Sequence, residues 1–275
     1  MSRIAGAFGV NAERPGGKAF IGFLTGGDPS IEKSRDYILE MIRAGADVVE
    51  IGIPFSDPIA EGPVIQEANI RALTGGAGVE KIFGLAESVR EELASGGKET
   101  PLVFLSYLNP VFRYGYEKFF RRCAEAGVDG IIIPDLPFEE QGEVKESAGR
   151  HGIDLISLIA PTSEDRIKEI AAAARGFVYL VSSMGVTGVR SRITTDLASM
   201  VAAVRSVTKV PCAVGFGINT PAQAAEIAGI ADGIIVGSAI VRIIAEHPKD
   251  AEPHIAAYVK EMKAAEQFRE RGTPA

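Results

Sequence analysis

Eight short apolar runs recur along the chain with amphipathic stretches between them, and this alternation constrains the fold more than any single motif. The runs cover residues 19–25, 48–53, 102–106, 130–134, 155–159, 177–182, 212–215 and 233–236. Each is nearly continuous in apolar, β-branched character rather than alternating, as parallel strands covered on both faces are. Between them, residues 31–44, 81–95, 117–126, 165–174 and 222–228 carry helical spacing. Gly45, Gly127, Gly152, Gly176 and Gly229 follow these stretches, where a left-handed helix C-terminus is expected. Asp28-Pro29-Ser30, Thr162-Ser163 and Asn219-Thr220-Pro221 supply helix starts. Eight strand–helix units over 19–236 predict an α/β fold, a single (β/α)8 TIM barrel rather than an open doubly wound sheet. Residues 1–275 read as one domain. Residues 1–18 are expected to form a short N-terminal helix closing the barrel bottom, and 251–269 an extra C-terminal helix.

Composition narrows the class of partner. Of 275 residues, 29 are Lys or Arg and 36 Asp or Glu, a net charge of −7 that argues against nucleic acid. No apolar run approaches the ~20 residues needed to span a bilayer, and the start lacks a signal-peptide core. No membrane association and a cytoplasmic location are therefore expected. Cys123 and Cys212 each sit inside an apolar element, so no disulfide framework is implied.

Barrel chemistry lies at the C-terminal ends of strands, in the loops that lead into helices. Glu50 is a carboxylate inside the apolar run 48–53, on the face opposite Val49 and Ile51. Burial there raises a carboxyl pKa and suits it to acid/base work near neutrality; a structural ion pair is the alternative. Glu61 follows in the next loop and completes a candidate carboxylate pair. Near the other end, Gly185-Val186-Thr187-Gly188, Gly215-Phe216-Gly217 and Gly237-Ser238 follow the last three strands. Loops after the final strands, one of them opening a helix, are where barrels hold phosphate. No strand run contains the lysine a Schiff-base aldolase needs. His151, His247 and His254 lie near helix ends and in the C-terminal segment, so no metal site is expected. Carboxylate acid/base catalysis remains.

These residues carry a family resemblance. Residues 50–66 (EIGIPFSDPIAEGPVIQ), together with 23–30 (FLTGGDPS), Pro134-Asp135-Leu136-Pro137 and the loops at Gly188, Gly217 and Gly237-Ser238, resemble the tryptophan synthase alpha chain. The similarity runs in order from Arg3 to about Ile244. It implies retro-aldol cleavage of indole-3-glycerol phosphate to indole and glyceraldehyde 3-phosphate in tryptophan biosynthesis. It also implies an α2β2 assembly with a beta chain that carries pyridoxal phosphate, and no cofactor in this chain.

By the resemblance, Glu50 matches the acid/base glutamate that protonates indole C3, and Glu61 falls where the family has an aspartate facing the indole N–H. A glutamate there keeps the charge but reaches one methylene farther; either the loop backbone has withdrawn or catalysis is slow. Phe23 and Ile65 would form an indole pocket, with Tyr179 and Thr187 near the substrate and Tyr107 and Asp135 supporting the site. Gly188, Gly217, Gly237 and Ser238 match phosphate-binding positions. Pro54, Asp57, Asn109 and Pro110 match surfaces that contact or couple to the beta partner. Two other readings share these motifs: a stand-alone indole-3-glycerol-phosphate lyase, and a weakly catalytic regulatory partner of a beta chain.

Overall fold

The computed structural model describes residues 2–13, 17–182, 190–215 and 217–267; side chains within 190–196 and 266–267 are not among them. Its strands are β1 (Ala19–Thr25), β2 (Val48–Gly52), β3 (Leu102–Leu105), β4 (Gly130–Ile132), β5 (Asp154–Leu155), β6 (Ser157–Ile159), β7 (Val178–Val181), β8 (Cys212–Gly215) and β9 (Gly233–Val236). Every pairing among them is parallel, in the order β5-β4-β3-β2-β1-β9-β8-β7-β6.

The expected strand at 155–159 is thus divided into β5 and β6. Asp154 and Leu155 pair with β4, while Ser157, Leu158 and Ile159 pair with β7. Ile156 between them still donates its N–H to the Ile131 carbonyl at 2.9 Å. Strands of a barrel are staggered, so one stretch meets its two neighbours at different heights. The first and last members of the sheet order are therefore adjacent in sequence, and the sheet closes on itself.

The helices are α1 (Arg3–Ala12), α2 (Ile31–Ala44), α3 (Pro63–Thr74), α4 (Val79–Ser95), α5 (Leu108–Tyr114), α6 (Tyr116–Glu125), α7 (Gly142–Arg150), α8 (Glu164–Ala172), α9 (Arg190–Arg205), α10 (Pro221–Ala228), α11 (Ser238–Glu246) and α12 (Ala251–Gln267). A single 3-10 turn, Phe138–Glu140, follows β4. Ser30 caps α2 by accepting the Lys33 N–H at 3.2 Å, and Thr220 with Gln223 forms a capping box on α10. Gly45, Gly127, Gly152 and Gly176 have positive φ as expected, but Gly229 does not, at −71°. The amides of Ile230 and Ala231 keep bonding the Ile227 carbonyl, so the right-handed turn simply continues past Gly229.

Two apolar layers result. The inner one joins Ile21, Val48, Val103, Ile132, Ile156, Tyr179, Ala213 and Ile235 from successive strands. Ile4 and Phe8 of α1 belong to it, with the Phe8 and Phe177 rings 5.7 Å apart at the barrel bottom. The outer layer, with Leu24, Val49, Ile51, Phe104, Ile131 and Val214, packs against the helix ring. α12 is fastened to the bottom by Lys263, which reaches the Asp47 carboxylate and the Lys18 carbonyl. With α1 at the bottom, the open end of the barrel is left to the strand C-termini.

Candidate active site

Alternation along β2 settles where Glu50 points. Val49 and Ile51 belong to the outer layer and Val48 to the inner one, so Glu50 shares the interior with Val48. It pairs across the ladder with Phe23 on one side and Val103 on the other. It is 2% exposed, and its Oε2 has no hydrogen-bond partner among the described residues. The ion-pair alternative is not what the structure shows: among those residues no cation pairs with it. Burial, and then the charge of Glu61, push its carboxyl up to about 8. Tyr179, on the inner face of β7, is driven well above the usual tyrosine range by burial and by Glu50.

Glu61 sits in the loop between β2 and α3, and that loop is held at both ends. Near its start, the Phe55 N–H donates to Asn69 Oδ1 at 3.0 Å, and Asn69 in turn donates to the Ile65 carbonyl. Near its end, Gln66 donates to the Glu61 carbonyl at 2.8 Å, and the Ala60 N–H donates to the Tyr107 hydroxyl at 2.9 Å. The Tyr107 hydroxyl, whose oxygen accepts from Ala60, favours the ionised form of the neighbouring Glu61 carboxyl. Burial pushes Glu61 up to about 7, Tyr107 opposes the rise, and the negative charge of Asp135 adds to it. Asp135 itself accepts the Leu108 N–H at 2.8 Å. Glu61 Oε2, like Glu50 Oε2, is buried with no hydrogen-bond partner among the described residues.

Both carboxylates line one cavity of about 710 Å³ at the open end of the barrel. Its apolar wall includes Phe23, Ile65, Leu105, Ile132, Leu158 and Ile235. Its far side is formed by Gly217, Gly237 and Ser238. These glycines serve different ends. Gly217 has φ +81°, which favours a residue without a side chain. Gly237 has φ −119°, but a β-carbon there would stand 3.1 Å from the Phe23 ring, and one at Gly52 would stand 3.0 Å from it. Gly237 and Gly52 therefore make room for the Phe23 ring that forms the pocket wall. Ser238 opens α11, and Gly237, Ser238 and Ala239 line the cavity, so a helix N-terminus, where an anion is favoured, borders it.

The structure thus gathers Glu50, Glu61, Phe23, Ile65, Tyr179, Gly217, Gly237 and Ser238 around one space, with Tyr107 and Asp135 behind Glu61. Thr187 and Gly188 lie outside the described residues. Of the remaining positions, Pro54 is buried, whereas Asp57 is exposed and accepts from Ser56 Oγ at 2.6 Å. Asn109 and Pro110 lie in α5, with Asn109 exposed. Sequence reasoning missed Asn69, Arg166 and Arg242. Arg242 follows Ser238 by four residues, a helical interval that was there to be read.

A sequence model of the tryptophan synthase alpha chain family matches residues 10–270. The chain belongs to that family. It is 45% identical over 265 residues to the tryptophan synthase alpha chain of Lacticaseibacillus casei, covering 96% of each chain. It is 49% identical over 249 residues to that of Lactiplantibacillus plantarum, covering 90% of this chain and 92% of the relative. Among solved structures, the alpha subunit from Legionella pneumophila str. Paris superposes with a TM-score of 0.85 at 37% identity, covering 96% of this chain and 98% of that one. A chain of tryptophan synthase from M. tuberculosis in an aminoacrylate-bound form gives 0.84 at 33%, covering 96% and 99%. The chain is accordingly an enzyme subunit, a lyase of tryptophan biosynthesis, and its family membership implies a beta-chain partner. No helix among the described residues is long and apolar enough to cross a membrane, and no group of His, Cys, Asp and Glu among them is placed to hold a metal ion.

Proposed function

We propose that this cavity cleaves indole-3-glycerol phosphate to indole and glyceraldehyde 3-phosphate, with Glu50 as the acid and base. The observation that carries the reading is a pair of buried carboxylates on one apolar cavity, with carboxyl pKa values raised to about 8 and about 7. At neutral pH Glu50 holds a proton, and it donates that proton to indole C3. The ring then carries positive charge at its nitrogen, which the ionised Glu61 stabilises from the loop. Glu50, now a carboxylate, takes the proton from the glycerol hydroxyl beside the ring. As that O–H proton leaves, the carbonyl forms, the C–C bond breaks, and the bond electrons return to the ring to restore neutral indole. Glu50 ends protonated, as it began.

Phe23 and Ile65 provide the apolar bed for the indole ring, Tyr179 closes the floor beside Glu50, Gly188, Gly217, Gly237 and Ser238 hold the phosphate, and Thr187 contacts the substrate. Pyridoxal phosphate belongs to the beta partner of an α2β2 assembly, which Pro54, Asp57, Asn109 and Pro110 would face or couple to; the reaction in this chain uses its own side chains. The location is cytoplasmic. The buried, unpartnered Glu61 Oε2 and the Tyr107 hydroxyl beside that carboxylate favour a working pair over a purely regulatory role.

The test is indole release from indole-3-glycerol phosphate by the purified chain, alone and with its cognate beta chain. Cleavage that the beta chain stimulates supports the reading. Equal, rapid cleavage by the isolated chain favours a stand-alone lyase. Beta activation with no measurable cleavage would leave only the regulatory reading.

A further inference from the structure

Among the described residues four charged side chains line the cavity: Glu50, Glu61, Arg166 and Arg242. The two arginines are not equivalent. Arg166 is held by both oxygens of Glu139 in the 3-10 turn, so its charge is already matched. Arg242 is exposed, and among the described residues no carboxylate forms an ion pair with it. It stands on α11 four residues after Ser238, on the same helix face. Side chains on a helix lean toward its N-terminus, a direction in which Arg242 can reach back toward the turn that contains Ser238.

Among the described residues the other donors at that end of the cavity are neutral: the backbone at Gly217 and Gly237 and the amide and hydroxyl of Ser238. A helix N-terminus offers an anion roughly half a unit of positive charge. A phosphate monoester carries about −1.5 to −2 at neutral pH, and the chain carries a net charge of −7. Neutral donors can shape such a site without balancing its charge. We infer that Arg242 binds the substrate's phosphate, supplying the full positive charge that selects a phosphate dianion at this end of the cavity. The inference rests on the reading of Gly217, Gly237 and Ser238 as a phosphate cradle. A guanidinium is suited to the task because its planar fork matches two phosphate oxygens at once.

A contact to the non-reacting end of the substrate acts in the ground state and the transition state alike, so its loss raises KM and leaves kcat nearly unchanged. The direct probe is glycerol 3-phosphate, titrated calorimetrically into the full-length wild type, Arg242→Ala, Arg242→Lys and Arg242→Glu at low and high salt. Arg242→Ala is expected to bind about tenfold more weakly at low salt, the order of a charge-assisted hydrogen bond. Its binding should also depend less on ionic strength, because a screened ion pair has been removed. Arg242→Lys should recover most of the affinity, and Arg242→Glu should be the weakest. Steady-state cleavage should show the loss in KM, with kcat within about twofold of wild type. Wild-type binding with Arg242→Ala and Arg242→Glu both within twofold of it would overturn the role of Arg242 and leave the cradle standing. Failure of wild type itself to bind glycerol 3-phosphate would overturn the cradle and this inference together.

Discussion

Tyr179 lies against Gly215 so closely that a β-carbon on that glycine would stand 2.3 Å from the tyrosine hydroxyl oxygen and 2.6 Å from its ring. Gly215 ends β8 and Tyr179 belongs to β7, so the contact crosses neighbouring strands inside the barrel. The bare backbone at Gly215 leaves room for the Tyr179 ring, whose hydroxyl feels the charge of Glu50. Gly215→Ala should therefore displace Tyr179 into the substrate space. Overpacking of this kind costs about 1–3 kcal/mol of stability, and a misplaced active-site group costs up to ~100-fold in rate. Thermal unfolding together with kcat/KM checks both. Unchanged activity in a folded Gly215→Ala protein would show that the ring has no part in the site.

Burial of Glu50 has a consequence for stability with a definite sign. Its folded pKa of about 8 lies above the ordinary 4.5, so between those values the native chain keeps a proton the unfolded chain has lost. Stability from this group is fully present below about pH 4.5 and is lost as pH rises toward 8. Glu50→Gln, neutral at every pH, escapes the loss. At pH 8 it should be more stable than wild type by of order 4 kcal/mol, with little difference at pH 4.5. Urea melts of both proteins across this range provide the comparison; a difference independent of pH would contradict the buried, protonated state.

The same two carboxylates shape the rate profile. Cleavage needs Glu61 ionised and Glu50 protonated, so kcat/KM should fall on the acid side of about pH 7 and on the alkaline side of about pH 8. The two limbs belong to the coupled pair rather than to either residue alone. Tyr107 favours the ionised form of Glu61. Tyr107→Phe should move the acid limb to higher pH, and by more than the alkaline limb. An acid limb that does not move would mean that Tyr107 fails to tune Glu61.

The barrel was legible in the sequence because strands covered on both faces must be apolar throughout, and eight such runs stand out. Glu50 was legible for the same reason, as the one carboxylate in the run 48–53. The break at Ile156 was not: strand stagger is a property of the closed sheet, and which neighbour Leu155 and Ser157 each pair with is not written in the run itself. The left-handed conformation expected at Gly229 failed because glycine permits it without requiring it, and the turn there continues to Ala231. The glycine loops were read as openings for a ligand, yet Gly237 also makes room for Phe23 from β1, more than two hundred positions away in sequence. The longer side chain of Glu61 raised a question about reach. What the sequence did not show is that the Tyr107 hydroxyl, which accepts from the Ala60 amide, stands beside that carboxylate, a contact between two loops that no local pattern encodes.

The central claim is that Glu50 moves the protons of C–C cleavage. Its most direct test is single-turnover cleavage of indole-3-glycerol phosphate by Glu50→Gln with the cognate beta chain, compared with wild type. The account predicts a rate at least ~1,000-fold lower with substrate affinity within a few-fold, since general acid/base groups contribute about 10²–10⁴ each and this one acts twice. A Glu50→Gln protein that cleaves within tenfold of the wild-type rate would contradict the mechanism.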